Sequence, residues 1–536
     1  MKDNVKFIFV TGGVISGIGK GISFASIGRI LKDRGYKIFA MKLDPYLNYD
    51  PGTMSPYQHG EVYVTKDGAE TDLDLGHYER IIDEELTQAS SVTSGRVYKR
   101  ILSQERKGFY NGTTVQVIPH VTNEIKNYIK RAANESDADI VMVEVGGTVG
   151  DIESEPFLEA IREMRMDYGY NSTFYIHLTL VPYVESTLEY KTKPTQHSVK
   201  LLRSLGVTPD LIILRSRGEL SSDIKAKVAL FCDVKEEAVI NAPNLKNILE
   251  LPLSFEKQNV DDIIIDHFGF PKGSTDMKEW HDLVENINKS KETVKIAIIG
   301  KYVKLHDAYL SIIQALNHAG YYYHYNVEII WIESESITTD NIKEILKDAK
   351  GIIIPGGFGT RGIEGMVLAS TYARENNIPL LGICLGMQIE AIEFARNVLN
   401  LKDANSIEFN PEAKDPIINF LNGQYDGIDL GVTLRLGNYT CLIDQNSKVA
   451  SLYNETTIEE RHRHRYEFNN DYKESFNKAG FKIVGVNPDK DLVEMVELKD
   501  HPFYIGCQFH PEFRSRPTKP HPLFLGLIKA SIENKN

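Results

Sequence analysis

The sequence predicts an α/β protein of two doubly wound domains with mainly parallel sheets, and three observations carry that expectation. A β-branched and aromatic run, Phe7 to Thr11, breaks into glycines before a helical stretch, Ile22 to Lys32. A second strand, Tyr36 to Lys42, then follows at the spacing of a βαβ unit. The same alternation restarts at Val294 to Gly300 after a linker-like span. Finally, 536 residues exceed what one hydrophobic core usually supports.

The composition is that of a globular chain, 42% hydrophobic and 25% charged, with a formal net charge of −13. That mean field repels phosphate. It argues against a nucleic-acid or membrane-surface role and requires any phosphate ligand to be held by local cations. No apolar run reaches the ~18 residues of a membrane span. Met1 to Lys6 leads straight into a strand without a signal-like segment, so a cytoplasmic location is expected. Cys232, Cys384, Cys441 and Cys507 lie far apart without C-x-x-C spacing, which fits a reducing compartment and offers neither a disulfide framework nor a zinc site.

Between the first strand and helix stand Gly12, Gly13, Gly17, Gly19 and Gly21, with Lys20 among them. Glycines let backbone N–H groups turn toward an anion, the helix N-terminus adds positive potential, and Lys20 adds a point charge. The spacing departs twice from G-x-x-x-x-G-K-[ST]: Val14 stands where a glycine belongs, and Gly21 where a hydroxyl belongs. A plain glycine-rich βα turn is the alternative, and Lys20 favours a nucleotide. Lys42 ends the second strand, where open α/β sheets bind ligands.

Carboxylates come next. Asp72 and Asp74 would share a face on a strand, and an acidic pair beside polyphosphate points to Mg²⁺. Glu144 is a lone charge inside the apolar run 140–145, costly there without a partner or metal. Asp74 with Glu144 is the expected magnesium pair. Further on, Lys191, Lys193, Thr195 and Gln196 form a cationic island suited to a second polyphosphate and a base edge; a solvated helix start explains that segment equally well. Strands at 174–181, 210–215 and 238–242 complete this half.

The halves meet across a linker with one amphipathic helix, Met277 to Ile287, giving domains at 1–267 and 294–536 and a connection at 268–293. In the second half, the strand 351–354 runs into glycines with no following lysine, which suits an oxyanion better than ATP. Gly-Ile-Cys384-Leu-Gly-Met-Gln follows a strand and opens a helix. This nucleophile-elbow pattern places a thiol at a helix N-terminus, whose potential favours thiolate. Near the end a strand terminates in His510, with Glu512 two residues on, so a bend at Pro511 can return the carboxylate to the imidazole. The dense segment from Arg461 to Glu467 suits a carboxylate substrate or an interdomain contact, and a structural ion-pair cluster explains it nearly as well except at Arg465.

Cys384 in its Gly-x-Cys-x-Gly setting, with His510-Pro-Glu512, resembles the triad (class I) glutamine amidotransferases. The blocks around Lys42, Asp50 to Pro56, Glu70 to Arg80, Glu144 to Glu153 and Lys191 to Gln196 resemble the CTP synthase family, and the likeness runs from about Phe7 to Ile528. The resemblance implies an N-terminal P-loop-like synthetase (amidoligase) domain, which phosphorylates the uracil 4-oxygen of UTP with MgATP, and a C-terminal class I glutamine amidotransferase domain that supplies ammonia to give CTP.

By that likeness Gly17, Ile18, Gly19, Lys20, Gly21, Ile22, Lys42 and Asp74 hold ATP, with Asn244 and Leu245 near the adenine. Ser16, Asp151, Ile152, Glu153, Lys191, Thr192, Lys193, Pro194, Thr195, Gln196 and Lys227 hold UTP or inhibitory CTP. Asp74 and Glu144 hold Mg²⁺. Cys384, His510 and Glu512 form the triad, with Gly357, Leu385, Gly386, Met387, Gln388, Glu408 and Arg465 on L-glutamine. The resemblance also implies GTP as allosteric activator, ammonia passed unprotonated between the domains, and a homotetramer arranged as a dimer of dimers, with filament formation left open. Gly17-Ile18 replaces the Ser-Leu of many relatives, so contacts to ATP there are expected from the backbone. A two-domain ligase acting on a carboxylate would not need the segment Lys191 to Gln196. A filament-forming relative that had lost its chemistry would not keep Lys20, Asp74, Glu144, Cys384, His510 and Glu512 together.

Overall fold

The structure, a computed structural model, describes residues 4–420 and 435–534; the chain start read above as free of a signal lies in part outside them, at Met1 to Asp3. The chain forms two compact units. One holds Met1–Pro51 and Asp74–Val284, the other Gly52–Leu73 and Glu285–Asn536.

In the first unit a seven-stranded sheet runs in the order Val239–Pro243, Leu211–Ser216, Thr173–Leu180, Lys6–Gly12, Ile140–Val145, Ile38–Asp44, Ser91–Thr93, every pairing parallel. Such strands are covered on both faces, which is why they read as unbroken apolar runs. Phe7, Ile8, Phe9 and Val10 are wholly buried. The chain leaves the central strand to both sides, so the crevice at the carboxyl ends of Lys6–Gly12, Ile140–Val145 and Ile38–Asp44 is a topological switch point. Trp280, on the helix Lys278–Lys289, is buried and donates its indole N–H to the Leu249 carbonyl at 2.7 Å.

One expectation is corrected. Asp72 and Asp74 share no strand face: the short strand Glu70–Thr71 ends first, and Asp74 opens the helix Asp74–Ile82. A carboxylate in a first helical turn is favoured by the macrodipole. Asp72 instead faces His59 at 3.3 Å in the second unit.

The second unit carries a nine-stranded sheet in the order Tyr325–Glu333, Glu292–Gly300, Gly351–Ile354, Leu380–Ile383, Tyr504–Cys507, Leu492–Leu498, Phe481–Asn487, Arg435–Ile443, Thr457–His464. The first five strands pair in parallel and the rest antiparallel. A small hairpin, Tyr63–Val64 with Glu70–Thr71, packs in this unit. Among the described residues, no helix is long and apolar enough to cross a membrane.

Candidate functional site

The glycine loop of the first unit passes through left-handed backbone at Gly17 (φ +70°) and Gly19 (φ +84°), and also at Val14 (φ +77°). Gly19 precedes the helix Lys20–Asp33, whose first N–H groups have no intrahelical acceptor. Lys20 Nζ donates to the carbonyls of Val145 and Gly147, both at 2.7 Å. At Gly21, the other departure, a Cβ would meet Asp74 Oδ1 at 2.6 Å, so any side chain there requires Asp74 to move. Lys42 Nζ lies 2.5 Å from Asp74 Oδ2 and 3.4 Å from Asp44 Oδ1, and Tyr78 donates to Glu144 Oε2 at 2.5 Å.

Burial drives the electrostatics of this cluster. It lowers the Lys20 ammonium pKa, an effect opposed by Glu144. It pushes Glu144 up, the Asp74 charge adds to this, and Lys20, Lys42 and Tyr78 oppose it, leaving the carboxyl at about 7. Burial also pushes Asp74 up, but Lys42, His77 and Lys20 outweigh it and hold that carboxyl near 2. Two carboxyls close enough to repel, beside a phosphate cradle, suit a hard divalent cation that takes its other ligands from phosphate and water.

A cavity of about 100 Å³ adjoins the loop, lined by Ile18, Gly19, Ile22, Ser23, Arg215, Pro243 and Leu245 among others. Leu245 thus joins the loop residues, whereas Asn244 lines a different pocket with Tyr183 and Arg217. Arg215, which the sequence reading missed, donates to the carbonyls of Ala242 (3.1 Å) and Pro243 (2.6 Å). Of the expected pyrimidine residues, Ser16, Ile152, Glu153, Lys193 and Lys227 are exposed. Asp151 accepts the Thr148 N–H at 3.1 Å, and Lys191 pairs with Glu189. Pro194 sits in the first turn of the helix Lys193–Ser204. Thr195 and Gln196 are buried, the first bonded to the Leu180 carbonyl and the second to Thr192 Oγ1, each at 3.1 Å.

In the second unit Cys384 sits between the strand Leu380–Ile383 and the helix Leu385–Asn397, at φ +54° and ψ −101°. Non-glycine residues seldom adopt such angles, and nucleophile elbows hold them by surrounding structure. Gly386 is required by close approach, since a Cβ there would lie 2.1 Å from the Ile354 carbonyl oxygen. The thiol is only 3% exposed, so the elbow does not push it into open solvent. It donates to the Arg463 carbonyl at 3.8 Å.

His510 follows the strand Tyr504–Cys507 after two further residues, and a tight turn at Pro511–Arg514 brings Glu512 Oε1 to within 2.7 Å of His510 Nδ1. A side chain at Gly356 would meet His510 Cε1 at 2.8 Å and Cys384 Cβ at 3.6 Å, so His510 and Cys384 both border this glycine. Burial alone would lower the His510 pKa, but Glu512 and Cys384 overcome it and raise it to about 10.

Beside the thiol, Gly357 packs against Leu385, with its Cβ position 3.4 Å from Leu385 Cδ2. Met387 is buried in the core, and Gln388 Nε2 donates to the Tyr466 carbonyl and Gln508 Oε1, both at 3.2 Å. Glu408 Oε1 accepts the Gly359 N–H at 2.7 Å; burial raises its pKa, opposed by that N–H, Lys301 and Arg465. Lys301 was not expected. It directly follows the strand Glu292–Gly300, at the carboxyl end of a parallel strand, which was the available signal, and its buried ammonium braces the glycine loop through the Phe358 carbonyl at 3.1 Å.

A cysteine, histidine and glutamate in line at a strand–helix elbow, on a chain that also carries a cationic phosphate cradle, define a glutamine-dependent ligase. Comparison with known proteins agrees. A family described as CTP synthase N-terminus matches residues 6–270, and glutamine amidotransferase class-I matches 304–530. The CTP synthase of Bacillus subtilis (strain 168) is 54% identical over 531 residues, 99% of each chain. That of Bacillus cereus (strain ATCC 10987 / NRS 248) is 55% identical over 530 residues, again 99% of each. Among solved structures, the glutaminase domain of Trypanosoma brucei CTPS with bound acivicin is 36% identical, covers 45% of this chain and 95% of its own, and superposes with a TM-score of 0.43. The chain belongs to the CTP synthase family. It catalyses the ATP-dependent amination of UTP to CTP with nitrogen from L-glutamine.

Proposed function

We propose that the two sites divide this reaction as follows. In the first unit Lys20 and Lys42 neutralise the transferring phosphate while the uracil 4-oxygen is phosphorylated, and ammonia then displaces that phosphate to give CTP. Asp74 and Glu144 would hold Mg²⁺, which supplies charge neutralisation on the polyphosphate when bound. The Glu144 carboxyl, raised first by burial and then by the Asp74 charge, would have that charge offset by a bound cation, which supports the assignment. Ile18, Ile22 and Leu245 form the wall for adenine. Lys191, Lys193 and Lys227, with Asp151 to Glu153, take the pyrimidine nucleotide.

In the second unit Cys384 attacks the glutamine amide carbon, and His510 passes a proton to the departing ammonia. Water then cleaves the thioester to release glutamate, with His510 as base. Glu512 holds the imidazole tautomer, and the N–H groups of Gly357 and Leu385 receive the oxyanion. Gln388, Glu408 and Arg465 bind substrate glutamine. The observation that carries this reading is the 2.7 Å bond between His510 and Glu512 beside the elbow thiol.

We further propose GTP as an activator, CTP as an inhibitor, a cytoplasmic location and a homotetramer. The exposed Leu102, Phe109, Ile118 and Ile152 support assembly. The synthetase domain is taken as 1–267, the connection as 268–293 and the amidotransferase domain as 294–536. The test is conversion of UTP to CTP with ATP and Mg²⁺. Cys384→Ala should abolish the glutamine-driven rate and keep the rate from added ammonium chloride, and glutamine-driven turnover by Cys384→Ala would refute the assignment.

A further inference from the structure

Two arginines of the segment Arg461 to Arg465 bond to the hairpin formed by Tyr63–Val64 and Glu70–Thr71. Tyr63 is wholly buried; its hydroxyl donates to the Phe513 carbonyl at 3.0 Å, and its ring meets the Phe513 ring edge-on at 4.9 Å. Phe513 in turn stacks on the His510 imidazole at 5.2 Å, 16° from parallel. The buried Arg461 guanidinium donates to Tyr63 Oη at 3.2 Å and to the Val64 carbonyl at 3.1 Å. The Arg461 carbonyl receives the His510 N–H at 2.7 Å. On the other flank Arg463 holds Glu70 Oε1 at 2.8 Å, and the Arg463 carbonyl is the acceptor of the Cys384 thiol.

We propose that this hairpin is a positioning element for glutamine hydrolysis. Tyr63 fixes the His510 ring through Phe513 and Arg461, and Glu70 fixes the Cys384 side through Arg463. The imidazole cannot swing toward Phe513 without displacing a ring that Tyr63 wedges from behind. The imidazole and the backbone around the thiol are thereby fixed relative to each other, and in such a pair a shift of about 1 Å costs on the order of a hundredfold in rate. The proposal rests on Cys384, His510 and Glu512 being the triad.

The test uses the full-length enzyme carrying Tyr63→Ala, Tyr63→Phe or Glu70→Gln. It reads glutamine-driven kcat and KM, CTP formation from ammonium chloride, and the pH midpoint of Cys384 alkylation by iodoacetamide, followed on the Cys384 peptide by mass spectrometry. Tyr63→Ala should lower glutamine-driven kcat about tenfold or more, with KM and the ammonia-driven rate changed by no more than about threefold, and should move the alkylation midpoint. Tyr63→Phe, which keeps the ring, should recover part of the loss, and Glu70→Gln should lower kcat without affecting ammonia use. Parallel loss of both activities, or unchanged kcat and midpoint, overturns the proposal. Should Tyr63→Ala not fold, the two near-isosteric variants decide by the same readings. Inactivity of Cys384→Ala with glutamine, alongside unaltered hairpin variants, would defeat this inference alone; activity of Cys384→Ala would defeat the triad beneath it.

Discussion

Lys42 and Glu144 are direct register partners on adjacent parallel strands, and Asp74 closes on the same Lys42 ammonium at 2.5 Å. One cation thus serves two carboxyls unequally. Asp74 keeps its charge, while Glu144, wholly enclosed and facing a second negative group, holds its proton up to about pH 7. A divalent cation held between them, as proposed above, would displace the Glu144 proton.

Glu144→Gln tests this through stability. The folded carboxyl titrates near 7 against 4.5 when free, so the folded state binds more protons across that window and stability falls as pH rises through it. Above about pH 7 the full cost, on the order of 3 kcal/mol, persists. The ligand-free variant should therefore melt above wild type at about pH 8 and level with it near pH 5, while losing about a hundredfold in UTP-dependent ATP hydrolysis. Calorimetric melting across this range is the check, and an unchanged pH slope in the variant would count against the assignment.

Glu512→Gln addresses the second unit. Glu512 is the largest influence raising the His510 pKa, and burial works the other way, so removing the charge should drop the imidazole from about 10 toward or below its ordinary 6.5. The proton held for the leaving ammonia is then absent at neutral pH. Glutamine-driven turnover should fall by about a hundredfold or more, with its pH optimum moved to lower pH, and ammonia-driven turnover should be unchanged. Steady-state rates with both nitrogen donors between about pH 6 and 9 read this directly.

The strands, the phosphate loop and the elbow were legible because each is written in consecutive residues: an apolar run, glycines at fixed offsets, then a helix. Glu144 was legible by contrast, a charge where the run forbids one. What stayed hidden depends on contacts between distant segments. Arg461 and Arg463 read only as part of a dense cationic segment until the hairpin at 63–71 supplied their partners Tyr63 and Glu70, and Arg215 joins the loop cavity only through sheet order. The pairing of Asp72 with Asp74 failed because spacing by two implies one face only on a strand, and the strand ends at Thr71 while the helix begins at Asp74.

Val14 occupies the P-loop glycine position and takes the backbone that position demands, φ +77°. A β-branched residue in left-handed backbone costs about 1–2 kcal/mol, more than the added unfolded-state entropy of glycine. Val14→Gly should therefore raise Tm, the reverse of the usual effect of Val→Gly, and leave KM for ATP within about twofold. A lowered Tm in the ligand-free protein would show that Val14 packing outweighs the backbone term.

Leu245 tests whether the cavity beside the loop receives a base. It shares that cavity with Ile18, Gly19 and Ile22, whose backbone borders the phosphate cradle, and Arg215 closes one side by bonding the carbonyls of Ala242 and Pro243. An apolar slot next to a helix N-terminus suits a purine stacked on aliphatic groups, with its phosphates on the loop. Truncating Leu245→Ala removes part of that wall without touching Lys20, Lys42 or either carboxyl. KM for ATP should rise about five- to tenfold, while KM for UTP and glutaminase kcat at saturating ATP stay within about twofold. Inorganic tripolyphosphate should inhibit wild type and variant equally, because it uses the cradle and not the slot. Equal weakening of ATP and tripolyphosphate would mean that Leu245 supports the loop itself and that the base lies elsewhere.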